Sequence, residues 1–211
     1  MNKKNIIVCA VIIVVVIAVL IVVIVMNGTR KGGIDNKPET SVSGESNTLV
    51  AYFSWSGNVQ QMARWITEET GGDIFRIVPE ESYGKEFNPC ADRAKNELDN
   101  GIRPAISEHI DKETMEKYDV IYIGFPVWWY DLPMPVWTFL EEYDFSGKTI
   151  IPFFSHNGSS DGAGSLDTIS RLAPDSEILS DDAISVHGND VADSENEIKE
   201  WIQKFKINKG E

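Results

Sequence analysis

The 211-residue sequence has little cysteine and little histidine. One of its two cysteines, Cys9, lies in a long apolar run, so a disulfide bond with Cys90 is not expected. The three histidines are far apart in the chain, and no group of Cys and His has the spacing of a zinc or iron–sulfur site. The sequence therefore predicts neither a disulfide framework nor a metal site.

Positive charge is scarce as well. Lys and Arg together number 19 against 33 Asp and Glu, which gives a formal net charge of −14 at pH 7. A surface this acidic repels the phosphate backbone of nucleic acids, so we exclude nucleic acid as a partner. The same surface can attract a basic protein partner, although we expect most of the carboxylates simply to be solvated.

The standard nucleotide-binding loops are absent too. Gly147-Lys148-Thr149 has the last three residues of a Walker loop, but the glycine required five positions earlier is missing, and the tripeptide precedes a predicted strand. The first predicted strand leads into Ser-Trp-Ser-Gly-Asn-Val, not into the Gly-x-Gly-x-x-Gly of a dinucleotide fold. Both classes of nucleotide site are therefore excluded.

The N-terminus carries one long apolar segment. Residues Ile6 to Met26 have no charge, and at about 1.5 Å per residue they can span a bilayer core of about 30 Å. No small-residue cleavage site follows Met26, so we predict an uncleaved transmembrane anchor over residues 1–26. A polar, flexible tether over 27–46 and one globular domain over 47–211 follow. The basic residues on the two sides of the anchor are nearly equal in number, so they do not decide its orientation. Because the anchor is at the N-terminus and a large domain follows it, we expect a single-pass protein of the cell membrane with its domain outside the cytoplasm.

Apolar runs alternate with amphipathic stretches throughout the predicted domain. Strands are predicted at residues 48–53, 73–78, 119–125 and 149–155, with a weak strand within 177–186. Helices are predicted at 59–70, 89–99, 134–143, 164–173 and about 194–205, with Asn58 and Ser194 as the caps of the first and last. Repeated strand–helix units predict an α/β fold of three layers, a doubly wound, five-stranded parallel sheet between helices.

Three predicted core strands each lead directly into a loop with a distinct chemical character. In the first loop, Ser54, Ser56, Gly57 and Asn58 precede a helix, whose free backbone N–H groups and dipole can hold a phosphate without Lys or Arg. The second loop, residues 126–131, carries three consecutive aromatic residues, and the third, residues 155–162, is polar and contains glycine. Ligands of open α/β sheets bind beyond the carboxyl ends of the strands, so these loops should converge. A ligand that carries a phosphate on a flat aromatic group would match the chemistry of all three loops.

Other interpretations of the same residues are weaker. Trp128, Trp129 and Tyr130 would serve as core or interface residues in a plainer protein, but three in a row at a strand end cannot all face one core. Ser155, His156 and Asp161 suggest a hydrolase triad, yet triad members normally come from distant loops and the chain has no Gly-x-Ser-x-Gly elbow. We expect Cys90 to be a half-buried thiol on a helix.

In these motifs the chain resembles the flavodoxin-like family, in particular its short single-domain members. The run Ser54-Trp55-Ser56-Gly57-Asn58 is similar to the family's hydroxyl-x-hydroxyl-Gly-Asn phosphate loop, with Val59 in place of the usual closing Thr. Residues 124–129, continuing through 133–135 to 139–140, resemble the aromatic flavin loop, and residues 155–159 lie where the family has a Ser/Gly-rich turn. The resemblance covers about residues 47–205 and implies the strand order 2-1-3-4-5.

The resemblance implies that the cofactor is FMN, bound non-covalently. The first loop would hold its phosphate through hydroxyls, the Asn58 side chain and backbone N–H groups. The aromatic loop would flank the flavin ring, and the third loop would close the other side. The cofactor-binding residues implied in this way are Ser54, Trp55, Ser56, Gly57, Asn58, Val59, Pro126, Val127, Trp128, Trp129, Tyr130, Ser155, His156, Asn157, Gly158 and Ser159. The redox chemistry itself would belong to the flavin, so no catalytic side chain is predicted.

Two activities fit such a flavoprotein. An electron carrier needs an exposed flavin edge and a redox partner protein, which the acidic surface suits. An NAD(P)H-dependent oxidoreductase instead passes hydride to a small-molecule acceptor such as a quinone. The sequence shows no Arg or Lys near the three loops to bind a nicotinamide dinucleotide phosphate, which modestly favours the carrier. A third hypothesis, a non-enzymatic tethered binding module that has lost FMN, rests only on Val59.

Overall fold

A computed structural model of the chain describes residues 40–207. The predicted transmembrane anchor, and the predicted tether up to residue 39, lie outside the described residues. Within residues 40–207, none of the helices combines the length and apolar character needed to cross a membrane.

The described part of the chain alternates strands and helices, as the sequence predicts. The strands are β1 Thr48–Tyr52, β2 Asp73–Arg76, β3 Val120–Pro126, β4 Thr149–His156, β5 Glu177–Ile178 and β6 Ile184–His187. The α-helices are α1 Asn58–Thr70, α2 Phe87–Asn100, α3 Lys112–Glu116, α4 Met134–Glu142, α5 Ser165–Leu172 and α6 Glu195–Ile207. The short helix α3 and a single 3-10 turn at Val191–Asp193 were not predicted from the sequence.

The strands form one parallel sheet in the order β2-β1-β3-β4-β5, which confirms the expected order. Leu49 in β1 pairs with Asp73 on one side and Ile121 on the other, and Ile121 pairs in turn with Ile150 of β4. The carboxyl ends of β1, β3 and β4 therefore lie side by side in the middle of the sheet. This register brings the three predicted loops to one edge.

Helices cover both faces of the sheet. Leu49 and Ala51 pack on one side with apolar residues of α2, α3, α4 and α5, whereas Val50 and Tyr52 pack on the other with residues of α1 and α6. Successive side chains of a strand point to opposite faces, so a strand buried on both faces reads as a continuous apolar run. The apolar run that begins at Leu49 has this cause, and the predicted three-layer architecture follows from it.

The fifth position of the sheet is divided between two short strands, where the sequence predicts a single weak one. β5 pairs with Thr149 and Ile150 at the start of β4, and β6 pairs with residues from Phe153 to His156 at its end. Lys148 and Ile150 accept bonds from Glu177 and Leu179 on this side of β4. The next residue facing the same side is Pro152, which has no N–H to continue the ladder. The chain leaves the sheet there and returns at Ile184.

Residues 40–46, predicted as part of the flexible tether, lie against the sheet. Ser41 exchanges two backbone hydrogen bonds with Ile74, of 2.8 and 3.1 Å, and so lies antiparallel to the outer edge of β2. The buried carboxylate of Asp73 accepts bonds from the N–H groups of Ser43 (2.9 Å) and Gly44 (2.8 Å) and from the hydroxyl of Tyr118 (2.7 Å). Burial alone would raise the pKa of Asp73, but these donors lower it below its ordinary value. An ordered segment therefore begins before the predicted boundary at residue 47.

Candidate cofactor site

The first loop forms a tight turn between β1 and α1, here called the phosphate turn (residues 54–58). Gly57 has a φ of 96°, a left-handed conformation that glycine adopts without steric cost. Ser54 Oγ accepts from the Gly57 N–H at 3.2 Å, so this hydroxyl stabilises the turn itself. The first backbone bond of α1 runs from Gln61 N–H to the Gly57 carbonyl at 3.0 Å. The N–H groups ahead of Gln61 have no partner within the helix, and that of Asn58 donates to Ser56 Oγ at 3.5 Å. Free N–H groups at a helix N-terminus are suited to binding an anion.

Asn58 differs in role from the sequence interpretation, whereas Val59, the residue after the turn, keeps the backbone-only role expected of it. Asn58 was predicted as the helix cap, but the cap position is Gly57, and the Asn58 side-chain amide donates to the Gly188 carbonyl at 2.8 Å. The Asn58 side chain thus makes a long-range contact with the turn after β6, and α1 has no side-chain capping bond. The side chain of Val59 is buried in the core between the sheet and α1, so this residue can offer a phosphate only its backbone N–H.

The second loop closes into a two-residue turn, here called the aromatic turn (residues 128–131). The Trp128 N–H donates to the Asp131 carbonyl at 3.0 Å, and the Asp131 N–H donates back to Trp128 at 2.9 Å. The residues between them, Trp129 and Tyr130, have φ values of 49° and 65°. Two consecutive positive φ angles mark a type I′ turn, which normally takes Asn-Gly. The aromatic turn therefore holds two bulky side chains in a conformation that glycine favours.

The three aromatic side chains diverge from this turn. Trp128 packs edge-on against Phe53 and Tyr83, with ring centroids 5.2 and 5.1 Å away. Trp129 is 43% exposed and its indole N–H donates to the Ala91 carbonyl at 3.0 Å. Tyr130 is 74% exposed and does not line the cleft, because the second residue of the turn directs its side chain to solvent. Its carbonyl instead accepts the Gly164 N–H at 2.9 Å.

The third loop leaves the sheet later than predicted. β4 continues through His156, which pairs with His187 of β6, and Ser155 is almost fully buried. The Nδ1 atom of His156 accepts the Gly158 N–H at 3.0 Å, which turns the chain away from the sheet. Ser155, His156 and Asn157 line the cleft, whereas Gly158 and Ser159 do not.

The three loops enclose one cleft of about 360 Å³, within the usual size range of small-ligand sites. Of the predicted site residues, ten line it: Trp55, Ser56, Asn58, Pro126, Val127, Trp128, Trp129, Ser155, His156 and Asn157. The other six lie just outside it: Ser54 and Gly57 shape the phosphate turn, Val59 is in the core, and Tyr130, Gly158 and Ser159 lie beyond the lining.

Two further groups line the cleft and were not predicted as site residues. Helix α2 contributes a wall of four residues at helical spacing, Phe87, Cys90, Ala91 and Ala94. The turn after β6 contributes Gly188 and Asn189. Cys90, Ala91 and Ala94 fall on the helix predicted at residues 89–99, whereas Phe87 lies before it, and nothing local showed that this face covers a ligand cleft. The rule that ligands lie beyond strand ends would have pointed to Gly188.

Helix α2 and the loop before it are fastened to the site by two indole groups. Trp55 Nε1 donates to the Gly84 carbonyl at 2.8 Å, and Trp129 Nε1 donates to the Ala91 carbonyl at 3.0 Å. Burial raises the pKa of the Cys90 thiol to about 11, so the sulfur in this wall is protonated and unreactive at neutral pH. Cys90 is therefore a small apolar lining residue.

Basic side chains reach two of the loops, contrary to the sequence expectation that none lies near them. Arg76, at the end of β2, donates to the Ser54 carbonyl at 3.4 Å. The Lys95 ammonium lies 5.8 Å from the ring centroid of Trp129 and is paired with Asp99. Both cations come from elements that neighbour the loops in space and not in sequence, which is why the motifs did not reveal them.

Comparison with known proteins gives one consistent result. A family model described as Flavodoxin matches residues 47–205. Two solved structures, from Bacteroides uniformis ATCC 8492 and Bacteroides eggerthii DSM 20697, are proteins whose assignment as flavoproteins is provisional, and each is 31% identical to this chain. The first covers 74% of this chain and 97% of its own, with a TM-score of 0.62; the second covers 72% and 96%, with a TM-score of 0.55.

A third solved structure carries a ligand in its description. It is a flavoprotein from Lactobacillus acidophilus NCFM in complex with FMN, 25% identical, covering 69% of this chain and 96% of its own with a TM-score of 0.53. None of the curated proteins matches the chain.

Proposed function

The chain belongs to the flavodoxin family, and we propose that it binds FMN non-covalently in the cleft and passes electrons through the bound flavin. The observation that carries this proposal is the cleft itself, in which a helix N-terminus and a pair of indole rings, Trp128 and Trp129, line the same space. A helix N-terminus is suited to binding a phosphate, and indole rings are suited to packing against a flat aromatic ring.

The polar side of the cleft fits a phosphate ester and its attached chain. The N–H groups at the start of α1 and the hydroxyl of Ser56 supply donors without a formal charge. Gly188 lies so close to this side that a Cβ placed there would come within 3.1 Å of the Asn58 amide. The turn after β6 is thus packed tightly against the phosphate turn, and the two form one cradle.

The apolar side of the cleft fits an isoalloxazine ring. Trp128 and Trp129 come from the aromatic turn, and Ala91 and Ala94 offer a flat, small-residue surface on α2. FMN, when bound, supplies both one-electron and hydride chemistry, while the protein sets access and potential. The family's proteins of this size place such chemistry on the cofactor, so the residues of this chain bind and orient it.

The direct test is reconstitution of the full chain, purified in detergent, with FMN. We expect a yellow protein with one FMN per chain and a higher melting temperature in the presence of FMN than without it. Riboflavin, which lacks the phosphate, should bind more weakly. A chain with no flavin absorbance and no stabilisation by FMN would refute the proposal.

Electron carriage is proposed over substrate reduction because the aromatic mouth of the cleft is exposed. Phe87 and Trp129, which line the cleft, are 69% and 43% exposed, Tyr130 beside them is 74% exposed, and the chain carries a net negative charge. A basic redox protein would therefore meet apolar contacts in the middle and opposite charge around them. The partner is proposed to be such a protein, with a small-molecule acceptor as the alternative.

NAD(P)H-dependent reduction of a quinone-type acceptor is the second candidate, and Arg76 and Lys95 are the observations that favour it. Both are cations beside the loops, where a dinucleotide phosphate would need them. Oxidation of NADH and NADPH by the FMN-loaded chain, with and without quinone, separates the two activities. Rapid turnover would identify a reductase, and its absence a carrier.

Burial of Val59 weakens the support for a tethered binding module without cofactor. That hypothesis relied on Val59 in place of a hydroxyl-bearing residue, but the side chain of Val59 is buried in the core. The backbone N–H of residue 59 is present whether the side chain is Val or a hydroxyl-bearing residue.

We also propose that residues 1–26 anchor the domain in the cell membrane, with the domain on the outer side. The uncharged run from Ile6 to Met26 supports this proposal. A reporter enzyme fused after Glu211 that is active only outside the cytoplasm would establish the orientation. Release of the protein by high salt without detergent would contradict the anchor.

A further inference from the structure

We propose that His156 is a neutral hydrogen-bond donor to the cofactor, its Nε2–H binding an acceptor oxygen of FMN while the Gly158 N–H fixes the tautomer. This inference rests on the proposed FMN site. Histidine at this position is a departure from the Ser/Gly-rich third loop that the family resemblance implies. The structure gives it a defined hydrogen-bonding role.

The tautomer of His156 follows from its contact with the backbone. Nδ1 accepts the Gly158 N–H at 3.0 Å, and an atom that accepts a hydrogen bond cannot carry a proton. The proton of the neutral ring must therefore be on Nε2. Among the described residues, no acceptor is bonded to this Nε2–H, and the ring lines the cleft. The Nε2–H group, held in one direction by the Gly158 bond to the other ring nitrogen, is therefore available to a ligand.

The surroundings keep the ring uncharged. Burial lowers the pKa of His156, and the nearby ring of His187 lowers it further, while Asp161 opposes the shift. The two imidazoles lie edge to face with centroids 5.6 Å apart, and their strands are in register. From the turn after β6, Asp190 lies 4.0 Å from Nδ1 of His187, and from α1 the uncharged Asn58 amide bonds to Gly188, whose N–H bonds to the His156 carbonyl.

Position links His156 to the phosphate side of the cleft. The His156 carbonyl accepts the Gly188 N–H at 2.8 Å, and the Gly188 carbonyl accepts from Asn58 at 2.8 Å. One chain of hydrogen bonds thus joins the end of β4, the turn after β6 and the first residue of α1. Movement of His156 would be transmitted to the phosphate turn through two short contacts.

A cationic histidine that attracts the phosphate is the competing explanation, and it predicts the opposite response to pH. Protonation adds a hydrogen to Nδ1, which then faces the Gly158 N–H, so the third loop must open. If the neutral ring is the binding form, FMN affinity falls as the pH drops through the pKa of His156. If the cation is the binding form, affinity rises as the pH drops.

Two substitutions separate the ring nitrogens. In His156→Asn the side-chain oxygen replaces Nδ1 and keeps the Gly158 bond, but the Nε2 donor is lost. In His156→Gln the amide nitrogen reaches the Nε2 position and keeps the donor. We expect the dissociation constant of FMN to rise about five- to tenfold in His156→Asn and to stay within about threefold in His156→Gln, as for one hydrogen bond.

The measurements are made on the full chain in detergent, by quenching of FMN fluorescence from about pH 5 to 8. The unchanged chain should lose affinity at acid pH more steeply than His156→Gln, and ionisation of the FMN phosphate near pH 6 is common to both. The control is His109→Gln, which removes an exposed histidine paired with Glu142 and should leave binding unchanged. Nitrogen-15 NMR of the FMN-free chain should show His156 protonated on Nε2.

Four results would overturn the inference. The first is an Nδ1–H tautomer, and the second is equal FMN affinity of His156→Asn and the unchanged chain. The third is an FMN affinity that rises at acid pH. The fourth is a lower FMN affinity of His156→Asn that comes with a lower melting temperature without FMN, because the substitution would then act through stability. In each of these cases FMN still binds and the proposed function stands. Failure of the unchanged chain to bind FMN at any pH would remove the proposed function and this inference together.

Discussion

The phosphate turn and the aromatic turn both need left-handed backbone, and they meet that need in opposite ways. The phosphate turn uses Gly57, with a φ of 96°, where glycine is free of steric cost. The aromatic turn uses Trp129 and Tyr130, each of which loses of order 1 kcal/mol or more there. The first turn is specified by its own residues, whereas the second persists because other parts of the molecule hold it.

Besides the two hydrogen bonds that close it between Trp128 and Asp131, the aromatic turn is held by long-range contacts. Trp128 is packed by Phe53 and Tyr83, and Trp129 is bonded to Ala91 on α2. The Tyr130 carbonyl accepts from Gly164. A strained turn anchored at three points can present an indole ring to a ligand at a fixed angle, which a relaxed Asn-Gly turn cannot do because it has no aromatic side chain. The strain is thus associated with the binding surface itself.

The largest effect is expected from Gly57→Val in the phosphate turn. A β-branched residue cannot adopt this φ without strain, so the N–H groups at the start of α1 should be displaced and FMN affinity should fall at least about 100-fold. Titration with FMN measures the loss. The matched control is Gly71→Val, at the other end of α1 with a φ of 65° and open space around it, which should lower stability but keep FMN binding. Equal affinity in the two variants would show that the phosphate turn does not bind the cofactor.

Trp128→Ala should have the next largest effect. Removing this half-buried ring leaves Phe53 and Tyr83 without their edge-on partner, and we expect a loss of about 2–4 kcal/mol in the free energy of unfolding. Urea denaturation without FMN measures this. Trp128→Phe should recover most of the stability, and a negligible loss in Trp128→Ala would mean that the aromatic turn is not held by this packing.

Trp129→Phe tests the bond to helix α2. The ring is kept but the indole N–H is lost, which leaves the Ala91 carbonyl without that donor and should lower stability by about 1 kcal/mol. Amide exchange should become faster in residues 84–91 and stay unchanged in α6. Unchanged exchange in residues 84–91 would show that Trp129 does not fasten this wall of the cleft.

The smallest effect, and the only stabilising one, is expected from Tyr130→Gly. Glycine relieves the positive φ at the second position of the turn, and the gain should exceed the added entropy of the unfolded chain by about 0.5–1 kcal/mol. FMN affinity should not change, because Tyr130 does not line the cleft. A fall in FMN affinity would assign Tyr130 a contact with the ring after all.

The sequence was informative wherever a feature depends on neighbouring residues. Continuous apolar runs predicted the buried strands, and the step from such a run into Ser54 and Gly57 predicted the phosphate turn. Pro152 was also visible, and its missing N–H foretold a break in the ladder that the sequence interpretation did not use. Helical spacing predicted α2 as a helix.

Features that depend on contacts between distant residues could not be predicted. Asn58 has the chemistry of a helix cap, and only the position of Gly188, 130 residues later, shows why it serves elsewhere. The wall of α2 and the approach of Arg76 to Ser54 also arise from packing across the sheet. The family resemblance supplied the strand order and the expectation of FMN, which composition and spacing alone left open.

The segment that begins at Thr40 has a further consequence for the solubility of the domain. An outer strand such as β2 presents a row of free N–H and C=O groups on which another chain can assemble. Ser41 occupies those of Ile74, and Thr40 accepts the Arg76 N–H through its hydroxyl at 3.4 Å. Thr40 and Ser41 therefore cover part of this edge, and a chain that begins at residue 47 would leave the N–H and C=O groups of Ile74 open to pairing with another chain.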